Sequence, residues 1–423
     1  MLATILNAFQ VADIRKKIAF TAGMLLIYRF GSHVPVPGVN LTAVNNIQKE
    51  LGGNNILGLL NLFSGGSLSR IAVFALGIMP YITSSIILQL LQVAVPSLEK
   101  LSKEGEVGQA RITQYTRYLT VGLAFAQSVG YVFLFHSLQA KAGENVIRVF
   151  NVPHIFLIVV CLTAGCVLLM WIGELITQRG IGNGISLLIF ASIVSRLPSA
   201  IQQWWDTQDQ VFKVLAPFLV LAVVAGIVFV QEGQRRIPVQ YAKRVIGRRM
   251  TEGSQTYLPL RVNMAGVIPV IFAASLMAFP PTVGQLVKTH WGTKLSDFFT
   301  PNGWHYIVGQ SLLILVFTYF YTAVTFNPVD QADNLKKYGG FIPGVRPGRP
   351  TAEFLDRILA RLTFPGAIFL ALVAALPAIV FSQTHQQFQF GGTSILIVIG
   401  VALETMKQLE AQLMMRSYEG FLK

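Results

Sequence analysis

The sequence predicts an all-α, polytopic membrane protein with ten transmembrane helices in a chain of 423 residues. Hydrophobic residues make up 53% of the chain and charged residues only 12%, about half the roughly 25% of average soluble domains. The mean hydropathy is +0.57. Because a soluble fold of this length needs more polar residues to cover its surface, the composition excludes a set of soluble domains.

Charged residues divide the chain into apolar windows of the length that a membrane requires. A helix crosses a hydrocarbon core of about 30 Å with about 20 residues. Most of the predicted spans lie in windows without Asp, Glu, Lys or Arg, and two contain one arginine each, Arg29 or Arg196. The windows are 18–38, 71–98, 118–140, 149–173, 180–203, 214–231, 262–287, 298–329 and, for the last two spans, 362–403.

Lys and Arg are concentrated in alternate loops, which indicates the orientation of the chain. With the N-terminus inside, the predicted cytoplasmic segments hold 24 of the 33 basic residues, as the positive-inside rule requires. Both termini are therefore predicted to be cytoplasmic. A cleavable signal peptide is not predicted, because Arg15, Lys16 and Lys17 precede a full-length span without a small-residue cleavage site.

Two of the predicted cytoplasmic loops are long and basic. Loop 232–261 carries seven basic and two acidic residues, and loop 328–361 carries six basic residues around a centre rich in Gly and Pro. Strand-like stretches at Ile237–Tyr241 and Thr256–Leu260 predict a hairpin in the first loop. Attraction to anionic lipid explains most of the net charge of +14, but loops of this length also suit a large acidic partner.

The sequence contains no motif for catalysis, and neither a metal nor a cofactor is predicted. It lacks a Walker sequence, a zinc-protease motif and a nucleophile elbow. The run Gly180–Gly184 lacks the preceding strand of a dinucleotide site, so its glycines are interpreted as a tight start of a span. Cys161 and Cys166 are predicted to be buried thiols. Few ionisable residues lie at mid-membrane, which disfavours an ion-coupled transporter and leaves a channel, a scaffold or a facilitator.

Several long stretches resemble the SecY family, whose members form the central subunit of a protein-conducting channel. The similarity extends across all ten predicted spans. It is carried by FSGGSLSRIAVFALGIMPYITSSIILQLL at 63–91, EGEVGQARITQYTRY at 104–118, LMWIGELITQRGIGNGISLLIF at 169–190, GQRRIPVQYAKR at 233–244, LPLRVNMAGVIPVIFA at 258–273, NPVDQADNLKKYGGFIPGVRPGRPT at 327–351 and FGGTSILIVIGVALE near the end.

The resemblance implies two pseudo-symmetric halves of five spans, residues 1–203 and 212–423, joined by an outer hinge loop at 204–211. It also implies a ring of flexible apolar side chains that seals the pore around a passing strand. Without the resemblance, each of these isoleucines is interpreted as ordinary core or lipid-facing packing. The ring comprises Ile78, Ile82, Ile185, Ile189, Ile271 and Ile397.

The segment at 56–70 is too short to cross the membrane. The resemblance implies that it is a small helical plug whose glycines act as a hinge; the alternative is an interfacial helix without a gating role. The plug residues are Leu60, Asn61, Phe63, Ser64, Gly65, Gly66 and Arg70.

A lateral gate is implied between spans two and three on one side and spans seven and eight on the other. Three polar residues are assigned to it, and the alternative role for each is ordinary helix packing. They are Thr83, Gln127 and Ser275.

The resemblance further implies a channel that passes unfolded secretory polypeptides and releases membrane segments into lipid, with energy supplied from outside. Implied partners are SecE-like and SecG-like small subunits, a SecA-like motor ATPase, the ribosome, signal sequences, nascent polypeptides and membrane lipid. Arg248, Arg249 and Arg346 are assigned to partner docking. The predicted location is the bacterial plasma (inner) membrane, with a thylakoid membrane as the alternative. A small-solute transporter and a ribosome-binding scaffold are the rival functions.

Overall fold

The chain is mostly helical, in agreement with the predicted fold class. A computed structural model describes residues 11–40, 61, 64–142, 147, 150–206, 210–241, 245–246, 249–250, 255–286, 298, 303–384 and 392–421. The helices are α1 (Ala12–Gly31), α2 (Met79–Ala94), α3 (Pro96–Lys103), α4 (Glu106–Ala142), α5 (Val152–Arg179), α6 (Gly184–Val194), α7 (Leu197–Asp206), α8 (Gln210–Glu232), α9 (Ile268–Leu286), α10 (Trp304–Thr325), α11 (Pro328–Lys337), α12 (Arg349–Thr384) and α13 (Gly392–Phe421).

A helix lies at each of the ten predicted spans, and the part of the chain that the structure describes contains six helices long and apolar enough to cross a membrane. A seventh is added if α2 and α3, which are bent by 100° at Pro96, count as one span. The count of ten remains a prediction. The six are Val152–Arg179, Gly184–Asp206, Lys213–Glu232, Trp304–Lys337, Arg349–Leu376 and Gly392–Met415.

The second span differs from its predicted window of 71–98. Its helix α2 begins only at Met79, and residues 64–78 form consecutive turns. Ile71 has a φ of +46° and Gly77 a φ of +60°, both outside the right-handed helical region. The turns are attached to the chain after α1, because the Val36 N–H donates to the Ile71 carbonyl and the Val73 N–H donates to the Val34 carbonyl.

A small sheet unites the two basic loops. The predicted hairpin is present as β1 (Gln234–Tyr241) and β4 (Gln255–Arg261), which pair antiparallel. Strand β5 (Gly340–Phe341) of the second loop pairs with the other edge of β1, and β2 (Val245–Ile246) pairs with β3 (Arg249–Met250) separately. The sheet has its own apolar core with α12, so the two loops form one structural unit.

One continuous apolar core runs through the helix bundle and draws residues from both halves of the chain. Helix α9 packs against α2 and α4, and α13 packs against α6, α8 and α9. Ile14 at the start of α1, Ile181 before α6 and Leu409 in the second half of α13 form a separate small cluster. Two helix starts and the last helix therefore meet at one end of the bundle.

Candidate functional site

The six predicted ring isoleucines all lie in the central core of the bundle. Ile78, Ile82, Ile189, Ile271 and Ile397 are at most 4% exposed. Ile185 is half-buried and packs against the same cluster. They come from the start of α2 and from α6, α9 and α13, so elements from both halves of the chain contribute to one apolar region.

The start of α6 positions two of these isoleucines. The Asn183 side chain accepts hydrogen bonds from the backbone N–H groups of Ile185 and Ser186 at 3.1 and 3.4 Å, which caps the helix. Gly182 has a φ of +83°. A Cβ on Gly184 would lie only 2.0 Å from the Gly173 carbonyl oxygen on α5. The interpretation of this glycine-rich run as a tight start of a helix is therefore confirmed.

The predicted plug segment is a set of buried turns where it is described. Leu60 and Phe63 lie outside the described residues, and the predicted helix is not present at 64–70. Asn61 organises the turns, because its side-chain oxygen accepts from the Ser69 N–H at 3.1 Å and its carbonyl accepts from the Gly66 N–H at 2.9 Å. The Ser64 hydroxyl accepts from the Leu68 N–H at 3.1 Å.

The glycine pair of this segment contacts α1 and α6. Gly65 and Gly66 have φ values of +64° and +87°, where a glycine avoids the strain of a side chain. The Arg29 guanidinium donates to the Gly65 carbonyl at 3.1 Å. A Cβ on Gly65 would lie 2.7 Å from Tyr28 Oη and 3.3 Å from Ser192 Cα. The segment is therefore held tightly between the two helices.

Arg70 ends the segment beside two other arginines that the sequence reasoning did not connect with it. Arg29 and Arg196 line the same cavity as Arg70. Burial and the charge of Arg29 lower the pKa of the Arg70 guanidinium. The sequence contained one indication of this group, because Arg29 and Arg196 are the only charged residues of their predicted spans.

One of the three predicted gate residues contacts the opposite side of the seam. The Ser275 hydroxyl on α9 lies 3.8 Å from Met79 Sδ on α2. Thr83 is half-buried, and its hydroxyl donates to the Met79 carbonyl within its own helix at 3.0 Å. Gln127 on α4 is also half-buried. Because α9 packs on both α2 and α4, all three residues lie on helices that meet at this seam.

Two of the three arginines assigned to partner docking lie in the part of the chain that the structure describes. Arg346 is exposed, and its carbonyl accepts from the Thr351 hydroxyl at 2.8 Å. Gly344 and Gly348 on either side have φ values of +82° and +101°. Arg249 lies on β3, and Arg248 lies outside the described residues. Arg346 therefore lies exposed in a hydrogen-bonded loop between two glycines of positive φ.

A bidentate ion pair joins α4 to α5. Arg117 Nε and Nη2 donate to the two carboxylate oxygens of Glu174 at 2.9 and 2.6 Å. The Glu174 side chain is only 12% exposed, whereas that of Arg117 is 43% exposed. Glu174, near the end of α5, is therefore a partly buried charge with a matched partner.

Within the described ranges, no three His, Cys, Asp or Glu side chains come close enough together to hold a metal ion. Cys166 is buried and Cys161 is half-buried, and both are free thiols. The candidate site comprises the apolar centre of the bundle, the predicted plug segment and the predicted seam.

Comparison with known proteins agrees with this arrangement. Residues 72–406 match the SecY family. The Protein translocase subunit SecY of Streptomyces galbus is 50% identical over 443 residues, covering 100% of both chains.

Two solved structures have the same fold. One, of a SecY protein whose plug domain is described as stabilising the closed state of the channel, covers 93% of this chain and 91% of that chain at 19% identity, with a TM-score of 0.62. The other, Sec61 in a canine ribosome-channel complex, has the same coverage at 18% identity, with a TM-score of 0.61. With a full-length relative at 50% identity, the chain belongs to the SecY family.

Proposed function

We propose that unfolded polypeptides cross the membrane through the centre of this bundle and that membrane segments leave it through the seam between α9 and α2. As a member of the SecY family, the chain is a protein-conducting channel subunit and not an enzyme. The observation that carries the proposed pathway is the burial of all six ring isoleucines within or against one core drawn from both halves.

The six isoleucines form the proposed seal at rest. Branched aliphatic side chains at a constriction exclude water and ions, and their rotamers can change around a passing strand. Ile78 and Ile82 are one helical turn apart, as are Ile185 and Ile189, so each pair faces one direction. Two pairs and two single residues from four elements make up the proposed ring.

The turns at 64–70 form the proposed plug. The SecY plug domain in the solved structure stabilises the closed state and maintains a membrane seal, and the buried Asn61, Ser64 and Gly65 support the same role here. A single described side-chain hydrogen bond, from Arg29 to Gly65, links the segment 64–70 to a neighbouring helix, so its displacement costs mainly the packing of its buried residues.

The proposed topology has ten spans, both termini in the cytoplasm and two halves joined near 204–211. The distribution of basic residues supports this orientation. It brings the sheet of the basic loops into the cytoplasm, where the exposed Arg346 can dock a ribosome or a SecA-like motor. The ribosome-bound Sec61 neighbour supports the first partner. SecE-like and SecG-like subunits and a bacterial plasma membrane complete the proposal.

The pore is tested by replacing two ring residues, Ile82→Gly and Ile189→Gly, in one variant. A matched variant replaces Ile158 and Ile314, which are equally buried in the same core but outside the ring. Both variants lose packing, but only the first should raise the resting ion conductance of reconstituted channels. Equal conductance in the two variants contradicts the proposed ring.

The seam is tested by joining Met79→Cys to Ser275→Cys with a short bifunctional thiol reagent, in a chain with Cys161→Ser and Cys166→Ala. The linked channel should fail to release membrane segments into lipid and should keep its ion seal. Each single-cysteine variant serves as the control for reagent damage. Undiminished membrane insertion by the linked channel excludes this seam as the exit.

A further inference from the structure

A cavity of about 360 Å³ lies between α1, the segment 64–70 and the break between α6 and α7. It is at the end of the bundle away from the sheet. Arg29 lies near the end of α1, whereas the start of that helix clusters with Leu409 of α13. Two residues before Leu409, Lys407 pairs with Glu232, next to β1. The cavity and the sheet are therefore at opposite ends.

Three arginines line this cavity, and no carboxylate is among its described lining residues. Arg196 is close enough to Arg29 and Arg70 for their charges to repel. Arg29 donates one hydrogen bond, to the Gly65 carbonyl. Arg70 Nη1 is buried without a hydrogen-bond partner in the described part of the chain. A buried N–H donor is normally paired, because an unpaired donor loses its hydration without compensation.

We propose that this cavity binds a phosphate-type oxyanion, supplied either as a lipid headgroup or as free phosphate. Arginine presents its N–H donors in a planar fork that matches two phosphate oxygens at once. Three such groups around one cavity favour a tetrahedral anion with several acceptor oxygens over a single carboxylate. The bound anion would connect the segment 64–70 to α1 and to the α6–α7 break. This binding does not require that the segment gates the channel.

The first test measures thermal unfolding of the full-length chain, purified in detergent with its copurifying subunits. Sodium phosphate is titrated against sodium chloride at equal ionic strength. Phosphate should raise the melting temperature saturably, because it binds the folded state. Arg70→Gln should weaken the apparent phosphate affinity at least about tenfold, the scale of a charge-assisted hydrogen bond. Arg349→Gln, at a side chain 91% exposed, should leave it unchanged.

The same titration separates anion binding from a structural role of Arg70. Without phosphate, Arg70→Gln should be at least as stable as the parent, because it removes repulsion between like charges. A loss of stability of equal size at every phosphate concentration indicates a structural role and overturns the proposal. If Arg70→Gln does not fold, Arg196→Lys keeps the charge but loses the fork, and it too should bind phosphate more weakly.

The second test identifies the source of the anion by native mass spectrometry. The parent chain should retain dioleoyl phosphatidylglycerol but not dioleoylglycerol, and Arg70→Gln should retain less of the phospholipid, if the ligand is a headgroup. Stabilisation by phosphate in the absence of lipid indicates the free anion. Equal effects of phosphate and chloride, together with equal phospholipid retention by parent and variant, overturn the proposal.

Discussion

Replacing Gly65 by alanine tests whether the buried turns at 64–70 hold the channel closed. The residue has a φ of +64°, a conformation that costs an L-residue with a Cβ about 1–2 kcal/mol. The new Cβ would also lie 3.3 Å from Ser192 Cα, a backbone atom that cannot move aside as a side-chain end can. Since 1.4 kcal/mol is about a factor of ten, the displaced population of the segment should rise about 5- to 30-fold.

Resting ion conductance in planar bilayers measures that population. Gly65→Ala should raise the fraction of time that single channels conduct without a substrate by about the same factor of 5 to 30. Gly23→Ala on α1 is the matched control, because no atom lies within 4 Å of its added Cβ, and its conductance should equal that of the parent. If Gly65→Ala lowers the melting temperature but conducts no more than Gly23→Ala, the segment is structural and the reasoning fails.

Two further predictions concern charged residues. Arg346→Glu should weaken ribosome or motor binding at low salt by about threefold or more, and the effect should shrink as added salt screens the charge. The control Arg349→Glu, in the same loop, should have little effect on binding. Equal losses of binding in the two variants would indicate that only the overall positive charge of the loop matters. Arg117→Met should lower the melting temperature more than Arg117→Met combined with Glu174→Gln, because the single change leaves a partly buried carboxylate unpaired. A double variant whose melting temperature falls by the sum of the two single losses would contradict this.

The sequence predicted the positions of the helices because a hydrocarbon core tolerates few charges. Charge-free windows therefore mark buried or lipid-facing segments whatever their packing. The strand stretch Ile237–Tyr241 was predicted for a similar reason, since its alternation has the period of a strand. The tight helix start at Gly182 and Gly184 was predicted because glycine permits backbone conformations that other residues do not. Each of these signals is contained within about ten residues of sequence.

Features that depend on distant residues were not predicted. The turns at 64–78 look apolar enough to continue a helix, and their backbone instead pairs with residues 34–36, which lie some thirty residues earlier. Strand β5 is two residues long, so its pairing with β1 has no pattern of its own. Arg29 and Arg196 were two isolated exceptions in apolar spans, and only the fold brings them together with Arg70.

The polar side chains near the proposed gate help to explain how a seam could open to lipid at low cost. The single hydroxyl proton of Ser275 is available to the Ile271 carbonyl at 2.8 Å in its own helix, whereas Met79 Sδ is a weak acceptor at 3.8 Å. Thr83 likewise donates within its helix. Separating α9 from α2 therefore leaves these donors satisfied. Lipid tails can replace the apolar contacts of the seam with little loss, whereas water cannot. Such a seam favours release into the bilayer over leakage of water and ions.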